Sequence, residues 1–288
     1  MAADRTFKLV SFNIYNGGID PDTTPETAAT SARMHQISSF LLHQNADMIA
    51  LTELNHWTAC TLASAAAGWG HAHTAMMETT NTAFRMGITS KWPMSRIERV
   101  AEGFWHGMLC VRAHVDCDGL KDMNVVVTHM NPMSAQERKK EASAIGEFIR
   151  SRTLQDNGDC WIVTGDLNSL SRNDERFYHQ TGITSLFKGN VKLTRKFLTS
   201  DGDVEYGVLT QLESFGLSDL SSSHQAIDYS VPTALDVDDM HAVKMRLDYA
   251  FGNSTIRDRF KCTAAIVRTD ETALLSDHYP LLLTVSVP

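Results

Sequence analysis

A chain of 288 residues that is 43% hydrophobic and 21% charged can bury one large core, and no composition break divides it, so a single domain spanning 1–288 is expected. The net charge of −8 argues against a protein that coats nucleic acid by positive field alone, a mode that depends on neutralising many phosphates. The apolar runs fall short of the roughly 18 residues of a membrane span, Met1 to Lys8 lacks a basic-then-apolar leader, and the five cysteines are scattered without Cys-x-x-Cys spacing, so reduced thiols and a soluble intracellular monomer (cytoplasm or nucleus) are expected.

Short apolar or alternating runs predict strands at Phe7 to Phe12, Met48 to Thr52, Met86 to Ser90, Met108 to Val115, Met123 to Thr128, Trp161 to Thr164, Met245 to Phe251 and Leu281 to Val287. Helical character falls between them, over Pro25 to Gln44, where Met34, Ile37 and Leu41 share a face, over Asn55 to Ala67, and over Ser134 to Leu154. Strands and helices mixed along the whole chain predict one α/β domain. The hairpin-like spacing between residues 84 and 128 predicts much antiparallel pairing, against a simple doubly wound parallel sheet. Leu198 to Gly207 and Ser221 to Asp239 read as long surface loops.

Four apolar runs end in a polar group: Leu9-Val-Ser-Phe-Asn13, Ile49-Ala-Leu-Thr-Glu53, Val125-Val-Val-Thr-His129 and Trp161-Ile-Val-Thr-Gly-Asp166-Leu-Asn168. Asp248 follows Met245-Arg-Leu, and Ser276-Asp277-His278 precedes the last run. Strands lying side by side would bring these ends to one rim. Glu53, Asp166, Asp248, Asp277, Asn13 and Asn168 form an oxygen-rich pool that suits a hard cation such as Mg2+ or Mn2+, whereas zinc calls for more histidine or sulfur. Phosphoryl transfer needs such a cation, a group that aligns or deprotonates water, and donors for the phosphate oxygens, and this set can supply all three.

Phe12-Asn13, Thr52-Glu53, Thr128-His129, Gly165-Asp166-Leu167-Asn168, Arg246-Leu247-Asp248-Tyr249 and Ser276-Asp277-His278 resemble, in order, the motif series of the endonuclease/exonuclease/phosphatase superfamily, which includes deoxyribonuclease I. The resemblance runs from residue 12 to residue 278. It implies a four-layer α/β sandwich of two packed mixed β-sheets flanked by helices, and a metal-dependent phosphoesterase. It further implies that Glu53 holds the metal, assisted by Asn13 and Asp277, and that Asp166 orients and deprotonates water. Asn168 would position that water or a phosphate oxygen. His278, oriented by Asp248, would contact the scissile phosphate, with His129 on the opposite side. In-line attack without a covalent intermediate follows, with inversion at phosphorus.

Simpler readings exist for single residues. An Asn or Glu at a strand end is usually a cap, Gly165 to Asn168 is turn-forming, and Asp248 could pair with Arg246. Asn16-Gly17-Gly18 reads as a tight turn near the site, with Asn16 as a candidate substrate contact. His106 is read as a surface hairpin histidine, with substrate contact as the alternative. Trp57 reads as packing, and Lys188, Lys192, Arg195 and Lys196 as a solvated face, with tracking of a phosphate backbone as the alternative. The substrate is a phosphate ester, with DNA or RNA and a small molecule or lipid head group as competing classes and a non-catalytic binding protein as the third option. The signature segments of inositol polyphosphate 5-phosphatases, the membrane segments of some sphingomyelinases and the disulfides of deoxyribonuclease I are not seen.

Overall fold

The computed structural model describes residues 6–20, 31–78, 80–117, 119–154, 159–221, 228–235, 239–241 and 243–286. Its strands are β1 (Phe7–Asn13), β2 (Met48–Thr52), β3 (His73–Met77), β4 (Met86–Ser90), β5 (Met94–Val100), β6 (Met108–Cys117), β7 (Leu120–His129), β8 (Cys160–Asp166), β9 (Ser218–Asp219), β10 (Asp248–Gly252), β11 (Lys261–Ile266) and β12 (Leu281–Ser286). They form two six-stranded sheets, ordered β11-β12-β1-β2-β4-β3 and β5-β6-β7-β8-β10-β9. Each sheet holds one parallel pair, β1 with β2 and β7 with β8, and is otherwise antiparallel. A parallel pair needs a crossover, and helices α1 (Ala32–Gln44) and α3 (Ala135–Thr153) supply them.

The central strands are buried on both faces, which is why they read as continuous apolar runs. Phe7, Leu9, Met48, Ala50, Val125, Val127, Ile162, Ala250 and Leu283 face the opposite sheet and form the inner core. The alternate residues Val10, Phe12, Ile49 and Leu51 face outward, packing with Met34, Ile37 and Leu41 of α1 and Leu62 of α2 (Ala59–Gly68). On the other side Val126, Trp161, Val163 and Tyr249 meet Ile145 and Ile149 of α3 and Leu209 and Leu212 of α7 (Gly207–Ser214). The layers are therefore α/β/β/α, the four-layer sandwich of two mixed sheets.

A further excursion follows β8: α4 (Glu175–Gln180), α5 (Ile183–Lys188) and α6 (Val191–Phe197), packed through Tyr178, Phe187, Leu193 and Phe197 against Met245 and Leu247. The short helix α8 (Ser254–Arg259) precedes β11.

All eight predicted strands are present; β7 starts at Leu120 rather than Met123, β8 runs on to Asp166 and β10 starts at Asp248 rather than Met245, while the predicted end at Val287 lies outside the described residues. The predicted helix start at Pro25 also lies outside them, and the described α1 is capped by Ser31, whose side chain accepts from Met34 N–H. The second helix starts four positions later than expected, at Ala59, because Thr58 forms a capping box with Thr61 and leaves Asn55 to Trp57 as loop. The first predicted surface loop is a turn with Ser200, Asp201 and Asp203 exposed, closed by a bridge between Leu198 and Val204 and anchored by the buried Leu198 and Tyr206. In the described part of 221–239, Ser230 and Val231 are buried, with Val231 paired to Met245.

Gly165 sets the approach of the two central strands of the second sheet. Its φ is 131°, and a Cβ there would stand 2.0 Å from the Thr128 carbonyl oxygen. Gly165→Ala is expected to cost about 2 kcal/mol or more in urea unfolding, from backbone strain and the forced separation of β7 and β8. A loss below about 0.5 kcal/mol would show that this approach is not needed for stability.

Candidate active site

Strand direction and register assemble the site. The C-terminal ends of the parallel strands β1, β2, β7 and β8 point to the edge where the antiparallel strands β10 and β12 begin. Asn13 is level with Thr52, one residue before Glu53. His129 is level with Asp166, and Asp166 with Asp248. Leu281 pairs with Ser11, so Asp277 and His278 enter beside the end of β1. Neighbouring strands lie about 4.8 Å apart, within side-chain reach.

Asp166 is the hub. Its Oδ2 lies 3.3 Å from Asn13 Nδ2, 3.4 Å from His129 Nε2 and 3.5 Å from His278 Nε2, while Oδ1 accepts from the Asn168 N–H at 2.9 Å. Burial opposes its ionisation, but the adjacent His278 and His129 outweigh that and bring the carboxyl down to about 2. His278 Nδ1 donates to Asp248 Oδ2 at 2.6 Å. Burial works against charge on His278, yet Asp248 and Asp166 raise its imidazole to about 10, so it stands as a cation at neutral pH. Asp248 therefore pairs with His278, and Arg246 goes elsewhere, to Asp174 and Asp219. Asp248→Asn should lower kcat about 10- to 100-fold with little change in KM, because it removes the charge and acceptor that orient the imidazole. A kcat within twofold of wild type would count against this pairing having a role in turnover.

Asn13 Nδ2 donates to both Glu53 and Asp166, which ties the two carboxylates together, and Oδ1 accepts from the Tyr15 N–H. The Asn16 N–H donates to Glu53 Oε2 and its Oδ1 accepts from Asn55, so it shapes the Glu53 loop at the edge of the site. Asn168 has φ 49°, and its Nδ2 donates to the Met130 carbonyl.

Glu53 and Asp277 fit a cation. Burial raises both carboxyls, Asp277 to about 7, and the charge of Glu53 adds to the rise of Asp277. Among the described residues neither forms an ion pair with a lysine or arginine. The neighbouring His278 offsets part of that rise in both, and a bound cation would offset more. Two groups of side chains place potential ligand atoms within 4.8 Å of one another: Asp166 with Asp248 and His278, and His241 with Asp277 and His278.

These groups open into a cavity of about 380 Å³ whose lining includes Tyr15, Glu53, Phe84, Trp105, His106, His129, Asp166, Asn168, Asp277 and His278. His106 is not a surface histidine. It is buried, stacked on His129 with ring centroids 4.3 Å apart, and its Nδ1 meets Thr82 Oγ1 at 2.6 Å. Burial, then the neighbouring His129, hold it down to about 2. Of the lysines and arginine expected on a solvated face, Lys188, Lys192 and Arg195 are exposed, while Lys196 is buried, and Lys192 and Lys196 both line the cavity. The sequence reading missed His241, a single histidine in a polar stretch with no strand beside it. It lines the cavity against Asp277 and His278, and burial, then His278, hold it down to about 2. Trp57 is packing, as expected, with its indole N–H on the Gly17 carbonyl.

Two mixed sheets in a four-layer sandwich, with carboxylates, amides and histidines gathered where both meet, define a phosphoesterase-type α/β sandwich. The model of the Endonuclease/Exonuclease/phosphatase family matches residues 10–278, and the chain belongs to that family, whose members are hydrolases of phosphate esters that generally use a divalent metal. No curated protein sequence matches the chain. The fold is similar to truncated TDP2 of Caenorhabditis elegans (TM-score 0.61, 15% identity, covering 98% of this chain and 98% of that one). It is also similar to the 3'-5' exonuclease NExo of Neisseria meningitidis (0.63, 16%, 96% and 98%) and to an endonuclease/exonuclease/phosphatase of Beutenbergia cavernae (0.64, 15%, 98% and 72%). Among the described residues no helix is long and apolar enough to cross a membrane.

Proposed function

We propose that the chain is a divalent-metal-dependent phosphodiesterase that uses Mg2+ or Mn2+ and cleaves by in-line attack of water. The observation that carries this reading is the single carboxylate oxygen, Asp166 Oδ2, facing Asn13, His129 and His278 at the floor of one cavity. Held ionised, Asp166 orients the attacking water and takes its proton, a role in which placement counts before basicity. Asn168 positions the water or a phosphate oxygen. His278, charged and fixed by Asp248, meets negative charge as it develops on the phosphate, and His129 contacts it from the other side, backed by His106. Glu53 and Asp277 would hold the cation, whose chemistry there is to offset the charge of the phosphate.

The cavity bears on substrate class. About 380 Å³, with Phe84, Trp105, Met133 and Met240 on the apolar side and Lys192 and Lys196 as its lysines, matches a small ligand or a chain end better than an open basic groove for duplex DNA. A small phosphodiester is thus the first reading, and nucleic-acid cleavage from an end is the second.

The test is hydrolysis, with Mg2+ or Mn2+, of bis(p-nitrophenyl) phosphate, p-nitrophenyl phosphate, a dinucleotide, inositol phosphates, RNA, plasmid DNA and an abasic duplex. Metal-dependent cleavage of a diester, abolished by chelator, is expected, with one solvent 18O in the product phosphate and inversion at phosphorus. Chelator-insensitive turnover, or cleavage of monoesters alone, would sink the proposal.

A further inference from the structure

His241 ends a one-turn 3-10 helix, Asp239–His241, in the segment that leads into β10. Its side chain is 12% exposed and lines the same cavity as Glu53 and Asp277. Its Nδ1 is buried without a hydrogen-bond partner and lies 3.7 Å from Asp277 Oδ2. Its ring stands at 87° to that of His278, with centroids 4.9 Å apart. A buried imidazole nitrogen that faces a carboxylate and bonds nothing needs an explanation. The separation is too long for a good hydrogen bond. It is near the spacing of two neighbouring ligands of one ion, which sit roughly 3.0 to 3.5 Å apart when each bond is about 2.1 Å.

His278 cannot fill this role in its present contacts, since Nδ1 bonds Asp248 and Nε2 faces Asp166. His241 has no such commitment at Nδ1. We infer that His241 is a nitrogen ligand of the cation held by Glu53 and Asp277, which makes the site a mixed oxygen and nitrogen site that takes Mn2+, Co2+ or Zn2+ in preference to Mg2+. Imidazole nitrogen suits these transition ions, whereas Mg2+ keeps to oxygen and water. The inference rests on the reading of Glu53 and Asp277 as metal ligands.

Binding, and not turnover, tests it. Mn2+ and Mg2+ are titrated calorimetrically into the wild type, His241→Ala, His241→Gln and Glu53→Gln, each checked for wild-type circular dichroism, and bound Mn2+ is examined by pulsed electron paramagnetic resonance. Expected are nitrogen modulation from directly bound imidazole in the wild type, its loss in both His241 variants, and at least a tenfold weaker Mn2+ affinity there with less than a twofold change for Mg2+. Glu53→Gln should weaken both ions. Wild-type Mn2+ without nitrogen modulation, or modulation and affinity that survive His241→Ala, would overturn the inference while a Glu53→Gln loss leaves the oxygen ligands standing. If Glu53→Gln binds both ions as well as the wild type, the underlying ligand assignment falls, and the inference with it.

Discussion

Asp166→Asn should lower kcat by about 10³-fold or more, the range spanned by loss of a positioned general base. The change is nearly isosteric, and the amide oxygen can keep the Asn168 N–H bond that Oδ1 makes now. The amide NH2 would then replace Oδ2, and a donor would face Asn13 Nδ2, His129 Nε2 and His278 Nε2 where an acceptor stands in the wild type. Water would lose its proton acceptor. His278 would also lose one of the three carboxylates that raise it, so its titration, read by NMR, should move down from about 10 while Asp248 and Asp277 still hold it above the ordinary histidine value. Steady-state and single-turnover rates on the diester that the wild type cleaves give the check. A variant within tenfold of wild type would mean that another group, or solvent, activates the water.

The parts of this site that lie on strands could be read from the chain, because a strand buried on both faces spells an unbroken apolar run and a polar residue at its end stands out. Glu53, His129, Asp166 and Asp248 each close or open such a run, and register then fixes who meets whom. The four strands that the pattern did not reveal, β3, β5, β9 and β11, are the edge strands of the two sheets, and on them Arg96 and Ile97 of β5 and Lys261 of β11 are exposed. His106 was misjudged because Phe-Trp-His-Gly looks like a hairpin tip. Its burial comes from Phe84 and His129, neither of them near it in sequence. Lys196 and His241 were beyond reach for the same reason. Their direction depends on how α4 to α6 and the Ser230 segment pack over the second sheet, a tertiary matter that neither periodicity nor charge pattern encodes.

What keeps loops from two sheets in one geometry is a pair of buried arginines, one from each crossover helix. Arg33 of α1 donates to the carbonyls of Ile14, Tyr15, Ile19 and Leu275, thereby joining the chain just past Asn13 to the chain just before Asp277. Arg138 of α3 donates to the Asn131 and Lys196 carbonyls and the Ser169 hydroxyl, joining the segments that follow His129 and Asn168 to the end of α6. One turn on, Glu141 accepts the N–H groups of Trp105 and Asn131, and burial pushes its carboxyl up to about 7. Arg33→Met and Arg138→Met should each cost about 3 kcal/mol or more in urea unfolding, since each strands several buried acceptors at about 1 to 3 kcal/mol apiece, less whatever water recovers. Arg→Lys should regain less than half of that, because one ammonium cannot span carbonyls that a planar five-donor group reaches at once. The Met variants should also lose more than tenfold in kcat under conditions where both remain folded, since Asp277 and His129 would no longer be held to the Asp166 hub. Unfolding free energies within about 1 kcal/mol of wild type, with full activity, would show that sheet packing alone sets the loops and that the arginines merely fill space.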